Sequence, residues 1–214
     1  MKTLRALATA RAQAGFTVAE MLVTAAVIAL VMGGLMSLMM TGAQSWVVGS
    51  NRSEAQQSAR LVLFRVAEEV RGAGWDPRSL VAFPAIQALA PPQTGFMISN
   101  DWSADGAIQT DLLTLVNGTN RGERVTYDFV DNALRRQESQ LDLSPVTVTN
   151  AISAITFTYR DTDDAVVANP HVAANAVNIR TVEITVTATP DHQASSSTQA
   201  VSVTSTIRAR VRNR

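Results

Sequence analysis

Near its N-terminus the chain reads Gly15-Phe16-Thr17-Val18-Ala19-Glu20-Met21-Leu22-Val23. Glu20 is followed by an uncharged run, residues 21–40, and the next charged residue is Arg52. As a helix, that run is roughly 30 Å long, the thickness of the hydrocarbon core of a bilayer. A carboxylate at the edge of such a run costs free energy unless a cation pairs with it. The stretch therefore predicts a membrane helix with an acid that needs a partner.

The residues before this run predict its orientation. Lys2, Arg5 and Arg11 precede Phe16, and no acid lies among them. Cations before a membrane segment hold that end in the cytoplasm. We expect a single-pass membrane protein with its N-terminus cytoplasmic and the bulk of the chain exported.

Composition limits the kinds of function. The chain has 214 residues, of which 46% are hydrophobic and 17% charged, enough for one membrane segment and one globular domain. The net charge is zero, but without residues 1–15 it becomes slightly acidic, which makes nucleic acid an unlikely partner. Cysteine is absent, and two histidines, His171 and His192, are too few to make a metal site expected. No cofactor is expected.

Three interpretations compete for residues 1–40. A secretory signal peptide has a core of about 7–15 apolar residues and a small-residue cleavage site. Thr41-Gly42-Ala43 could serve as that site, but the run before it is too long and Glu20 borders it. A plain signal anchor explains the hydropathy but gives Glu20 and the junction of Gly15 and Phe16 no role.

The third interpretation is a resemblance. The quoted stretch resembles the processing motif of type IV prepilins and of type II secretion pseudopilins: glycine, usually phenylalanine, threonine, two apolar residues, glutamate, then an apolar run. The resemblance implies that a prepilin peptidase cuts between Gly15 and Phe16 and N-methylates Phe16. Val18 stands where leucine is commoner. It also implies the type IV pilin fold. The implied location is the bacterial inner membrane, with the C-terminal domain periplasmic, and then a pilus or pseudopilus.

Glu20 lies four residues after Phe16, near the positive end of the helix dipole. Cleavage would create an α-amino group at Phe16 that is largely protonated at neutral pH. The resemblance implies that in a filament Glu20 pairs with this amine of a neighbouring subunit. Such a pair in low dielectric specifies axial register more than it adds stability. Glu20 is therefore predicted to be an assembly residue and not a catalytic acid.

The helix is predicted to continue to about residue 71, where Gly72, Gly74 and Pro77 end it. Its second half carries an apolar stripe about 100° wide. Leu61 and Phe64 fall off that stripe, so either the rest of the domain covers them or they contact another subunit. The stripe consists of Ala55, Ala59, Val62, Leu63, Val66 and Val70.

The remainder predicts an antiparallel sheet of four or five strands packed on this helix, giving an α+β fold. Residues 75–110 are interpreted as a connector with one short strand near 95–99. Alternation or apolar runs then predict strands at 112–116, 124–130, 134–137, 152–159, 182–188 and 201–211. The predicted domains are a leader (1–15), a transmembrane and assembly half-helix (16–42), an amphipathic half-helix (43–74) and a periplasmic β-rich domain (75–214).

A second, weaker resemblance spans most of the chain. The order of segments is similar to PilW-type minor pilins and J-type minor pseudopilins. It implies a low-abundance subunit of a tip or initiation complex. The implied partners are other pilin or pseudopilin subunits, prepilin peptidase, an inner-membrane assembly platform and the lipid bilayer. The segments are Arg60, Glu69–Trp75, Asp111–Leu115, Tyr127–Arg136, Ile155–Arg160 and Val211–Arg214.

Other polar clusters favour structural roles. Asp161, Asp163 and Asp164 offer oxygen ligands for calcium, but the EF-hand glycine and final glutamate are missing, so a solvated turn is favoured. Asn100, Asp101 and Asp105 are interpreted in the same way. Neither histidine has a nucleophile nearby, and no G-x-S-x-G or P-loop pattern occurs, so the chain is predicted not to be an enzyme. The alternating Arg208, Arg210, Arg212 and Arg214 favour a solvated strand edge over a cationic stripe for an acidic partner or DNA.

Overall fold

A computed structural model describes residues 15–78, 83–190 and 201–213. The chain divides into two compact units, Met1–Val47 and Val48–Arg214. One helix, α1 (Val18–Gly72), extends through both. The described part of the second unit adds a short helix, α2 (Ala173–Ala176), and ten strands. The strands are β1 (Ile86–Ala88), β2 (Thr94–Ser99), β3 (Leu113–Val116), β4 (Thr119–Gly122), β5 (Arg124–Val130), β6 (Ala133–Glu138), β7 (Val146–Thr149), β8 (Ile152–Arg160), β9 (Thr181–Ala188) and β10 (Val203–Arg210).

In the first unit every described side chain, residues 15–47, is exposed. The helix α1 is long and apolar enough to cross a membrane. A surface this apolar requires lipid or protein around it, because soluble monomers expose contiguous apolar patches of only a few hundred Å².

In the second unit α1 buries one stripe. The buried residues include all six that the helical spacing predicts, with Ala67 in addition. Leu61 and Phe64 stay 65% and 62% exposed. Of the two alternatives for this pair, cover by the described part of the domain is therefore wrong.

The end of α1 follows the predicted glycine signal. Gly74 has a φ of 78°, a left-handed conformation that favours glycine. The C-terminal tail then binds the last carbonyl groups of the helix. Asn213 Nδ2 donates to Gly72 O at 2.9 Å, and Arg212 N donates to Arg71 O at 3.2 Å. The tail after β10 is thereby joined to the end of α1.

The described strands form three antiparallel sheets, whereas the sequence predicts one. Their orders are β1-β2-β5-β6-β7, β10-β9-β8 and β3-β4. The expected single sheet is wrong because alternation of apolar residues shows that a strand has one buried face but does not show which strands pair. The α+β class, with a long N-terminal helix and antiparallel strands, is confirmed.

Two tight turns with positive φ angles join neighbouring strands into hairpins. Asp131 and Asn132 have φ angles of 53° and 60° and join β5 to β6, which confirms the predicted hairpin. Asn117 and Gly118, at 48° and 80°, join β3 to β4. Asn-Gly is a strong signal for such a turn, although the polar strand β4 was not predicted. Strands β1 and β7 were not predicted either.

The core lies where the second half of α1 meets the two larger sheets. Phe96 stacks on Tyr127 with ring centres 5.4 Å apart and meets Phe157 edge-on at 4.9 Å. Tyr159 donates its hydroxyl hydrogen to Gly95 O at 3.1 Å. Gly95 is required there, because an added Cβ would lie 2.1 Å from Tyr127 O.

Candidate functional site

The candidate site is the start of α1. Gly15, Phe16 and Thr17 precede the helix, and Val18 is its first residue. The Phe16 side chain is 80% exposed, and a Cβ added to Gly15 would have no neighbour within 4 Å. The peptide bond between Gly15 and Phe16 therefore lies outside the helix in an open segment, a position that a protease can reach.

Thr17 and Glu20 form a capping box. Glu20 N donates to Thr17 Oγ1 at 3.2 Å, and Thr17 N donates to Glu20 Oε2 at 2.9 Å. The Thr17 hydroxyl also donates to Glu20 Oε2 at 3.1 Å. Each residue satisfies a backbone N–H that the first turn of a helix leaves unpaired. Thr17 is thus a site residue that hydropathy does not identify, although Thr-x-x-Glu is the sequence signature of this motif.

The capping box leaves part of the carboxylate available. Both bonds from Thr17 end on Glu20 Oε2, and no described residue donates to Glu20 Oε1. A carboxylate offers about four acceptor positions. The same side chain can therefore cap its own helix and accept a hydrogen bond from an approaching cation.

The acidic turn after β8 is a structural turn. Asp161 Oδ1 accepts hydrogen bonds from the backbone N–H groups of Asp163 and Ala165, at 2.9 and 3.0 Å. Asp164 pairs with Arg160 at 3.8 Å and with Arg208 at 3.4 Å. Within residues 15–78, 83–190 and 201–213, no group of three or more metal-ligating side chains is close enough to hold an ion.

The acids near residue 100 bind backbone amides. Asp101 is fully buried, and its Oδ2 accepts from Gly106 N at 2.9 Å. Glu123, which the sequence patterns do not identify, is also fully buried. It accepts from Ser103 N at 2.9 Å and from Gln109 N at 2.6 Å. These carboxylates hold the loop between β2 and β3 in place.

The remaining candidates are spread over the second unit. The carbonyl of His171 accepts from Gln87 Nε2 at 2.6 Å, whereas His192 lies outside the described residues. Arg208 pairs with Glu183 at 2.7 Å on the edge strand β10. Arg210 and Arg212 are exposed on the same strand and its tail, and Arg214 lies outside the described residues.

Comparison with known proteins identifies the start of the chain. Residues 10–36 match the family model of the prokaryotic N-terminal methylation motif. The chain carries an N-terminal methylation motif. That match confirms the predicted motif, which contains Gly15, Phe16 and the Thr17–Glu20 capping box. Cleavage between Gly15 and Phe16 stays a prediction.

The rest of the chain is less similar to known proteins. No curated protein sequence matches the chain. Among solved structures, a type IV-like pilin from Thermus thermophilus is similar over 74% of this chain and 96% of that chain, with 12% identity and a TM-score of 0.46. The resemblance to PilW-type and J-type subunits stays a prediction.

Proposed function

We propose that this protein is a processed subunit of a type IV pilin-like filament. The observation that carries the proposal is the methylation motif at the start of a helix whose first part exposes only apolar and small or uncharged polar side chains after Glu20. Such a helix is stored in a membrane before assembly and is packed among other helices after it. The polypeptide serves as a structural and assembly subunit.

Processing takes place at the cytoplasmic face. Prepilin peptidase cuts between Gly15 and Phe16, and Phe16 receives an N-methyl group. The new amine lies two residues before the first helical residue, Val18. It remains protonatable after methylation, so it can still act as a cation.

Assembly uses Glu20. Glu20 Oε1, to which no described residue donates, accepts a hydrogen bond from the Phe16 amine of a neighbouring subunit, while Oε2 keeps its bonds to Thr17. In the dry core of a filament this charged pair selects one axial register between helices.

Within the filament we assign the chain to the minor pilins, at the tip or in the initiation complex. A minor pseudopilin of a type II secretion system carries the same N-terminal motif and is the alternative. Deletion of the gene separates them: loss of twitching motility supports the pilus, and loss of protein secretion supports the secretion system.

Mass analysis of the mature N-terminus tests the proposed function. We expect N-methyl-Phe at position 16. Gly15→Val should abolish this product, and the matched Gly42→Val should preserve it, because Gly42 belongs to the alternative signal-peptide site. A Cβ at either glycine meets no described atom within 4 Å, so neither change introduces a clash. An intact Met1 in cells with active prepilin peptidase would mean an unprocessed, membrane-anchored periplasmic binding domain.

A further inference from the structure

A cavity of about 770 Å³ opens on the second unit beside the end of α1. Four separate stretches line it: the last turns of α1 with Trp75 just after them, the loop after β2, the β3–β4 hairpin and the tail after β10. The volume lies within the range of small-ligand sites, roughly 300–1,000 Å³. None of the residues assigned to processing or assembly is part of it.

Aromatic rings form one wall of this cavity. Trp75 and Trp102 stack with ring centres 6.0 Å apart and planes inclined by 27°. The Arg121 guanidinium lies 5.6 Å from the centre of the Trp102 ring and is itself held by Glu138 at 3.1 Å. These contacts fix the wall before any ligand arrives. Trp75 is still 43% exposed, so part of its ring remains accessible.

The charges at the cavity are only partly matched. Arg71, Arg212 and Glu68 line it, and none of these side chains forms a hydrogen bond or ion pair with another described residue. Arg121, by contrast, has Glu138 as its partner. Two unmatched guanidinium groups beside one carboxylate favour a ligand with a single negative charge. Arginine binds carboxylates through two parallel hydrogen bonds.

Neutral polar groups complete the lining. Asn117 and Thr119 provide an amide and a hydroxyl group. Asn213 donates through Nδ2 to the end of α1, which leaves its Oδ1 able to accept. The indole N–H of Trp102 is buried and has no acceptor among the described residues. Such groups are suited to a ligand that carries several hydroxyl groups.

We propose that this cavity binds a sugar ring that carries one carboxylate, such as a uronic acid unit of an acidic glycan. The apolar face of the ring lies on the tryptophan wall, and the carboxylate binds Arg71 and Arg212. Asn117, Thr119 and Glu68 bind the hydroxyl groups. The Glu68 carboxylate disfavours ligands with a high density of phosphate, such as nucleic acid.

Tryptophan fluorescence of the full chain in detergent micelles tests this proposal. A Trp46→Phe background restricts the signal to Trp75 and Trp102, the other tryptophans of the sequence. The probe is the disaccharide of glucuronic acid and N-acetylglucosamine. We expect a saturable change in fluorescence, with binding at least about tenfold weaker for the neutral disaccharide N,N′-diacetylchitobiose.

Matched arginine variants locate the site. Arg71→Gln and Arg212→Gln should each weaken binding of the acidic disaccharide about tenfold. Arg210→Gln removes an exposed arginine two residues from Arg212 that does not line the cavity, and it should bind like the parent. Circular dichroism checks that each variant is folded.

Three results would overturn the proposal. They are no saturable signal with the acidic disaccharide, equal binding of the neutral one, or an unchanged affinity in both cavity arginine variants. Tighter binding of a mononucleotide would assign the cavity to a different ligand class. None of these results bears on N-methylation of Phe16, so the two proposals fail separately.

Discussion

At the scale of single residues, the observed cap at Glu20 and its proposed pairing with Phe16 of a neighbouring subunit involve different oxygen atoms. Oε2 accepts both hydrogen bonds from Thr17 and caps α1, whereas no described residue donates to Oε1, the oxygen that we propose meets the cation. The position of Glu20 in the first turn does not distinguish the cap from the pairing. A glutamate there stabilises the helix through the helix dipole whether or not it pairs with a cation of another subunit. The two roles can be separated by experiment, because Thr17 takes part only in the cap.

Glu20→Ala should still be cleaved and methylated, but its incorporation into filaments should fall by about tenfold or more, because the charged pair between subunits is lost. Thr17→Ala removes the side-chain half of the cap and retains the carboxylate, so incorporation should stay within about threefold of the parent. Quantitative immunoblotting of sheared filaments measures both. An equal loss in the two variants would mean that Glu20 acts through the helix cap alone.

Residue patterns predict the start of the chain better than the cavity. Gly15, Phe16 and Glu20 lie within six positions of one another, so their relation can be read directly from the sequence. The cavity depends on Phe64, Trp102 and Arg212, which only the tertiary fold brings together. No local spacing connects such residues.

At the scale of elements, the second half of α1 shows what the spacing of apolar residues can predict. The stripe from Ala55 to Val70 was predictable because a 3.6-residue period defines one face of a helix. Strands β8, β9 and β10 were predictable from their alternation. Strand β4, Thr119–Gly122, contains no large apolar residue, so alternation does not reveal it. Pairing of strands into three sheets follows from long-range packing, which local patterns do not encode.

Two leucines on nearly opposite faces of α1 test its orientation. Leu63 is 5% exposed and Leu61 is 65% exposed. Leu63→Ala should lower the free energy of unfolding by about 2–5 kcal/mol, because it leaves a cavity in the core. Leu61→Ala should change it by about 0.5 kcal/mol or less. Urea unfolding in detergent micelles, followed by tryptophan fluorescence, measures both. Similar losses in the two variants would mean that Leu61 is covered.

At the scale of the whole molecule, a charged network connects the second half of α1 to the five-stranded sheet. Arg136 on β6 lies 3.0 Å from Glu69 of α1 and 2.5 Å from Glu138. Its side chain is only 14% exposed. Charges this buried require partners on every side, so the network fixes how the helix lies on the sheet more than it adds stability. Tyr127 lies beside this network within the core.

Both tyrosines of the sequence are buried, and this predicts how the fold responds to alkali. Burial and the Glu69 carboxylate raise the pKa of Tyr127, and burial raises the pKa of Tyr159. In the unfolded chain each ionises near its ordinary pKa of about 10. Above that pH the unfolded state therefore binds fewer protons than the native state, and native stability falls as pH rises.

The stabilisation should be complete below about pH 10 and then decrease by about 1.4 kcal/mol per pH unit for each tyrosine. Urea unfolding at increasing pH measures this slope. Lys2 is the only lysine and cysteine is absent, so few other groups titrate in this range. Tyr127→Phe should halve the slope and remain folded, because phenylalanine keeps the buried ring in the core. Tyrosinate absorbance should appear only as the protein unfolds. Its appearance near pH 10 in the native protein would contradict the buried positions of both rings.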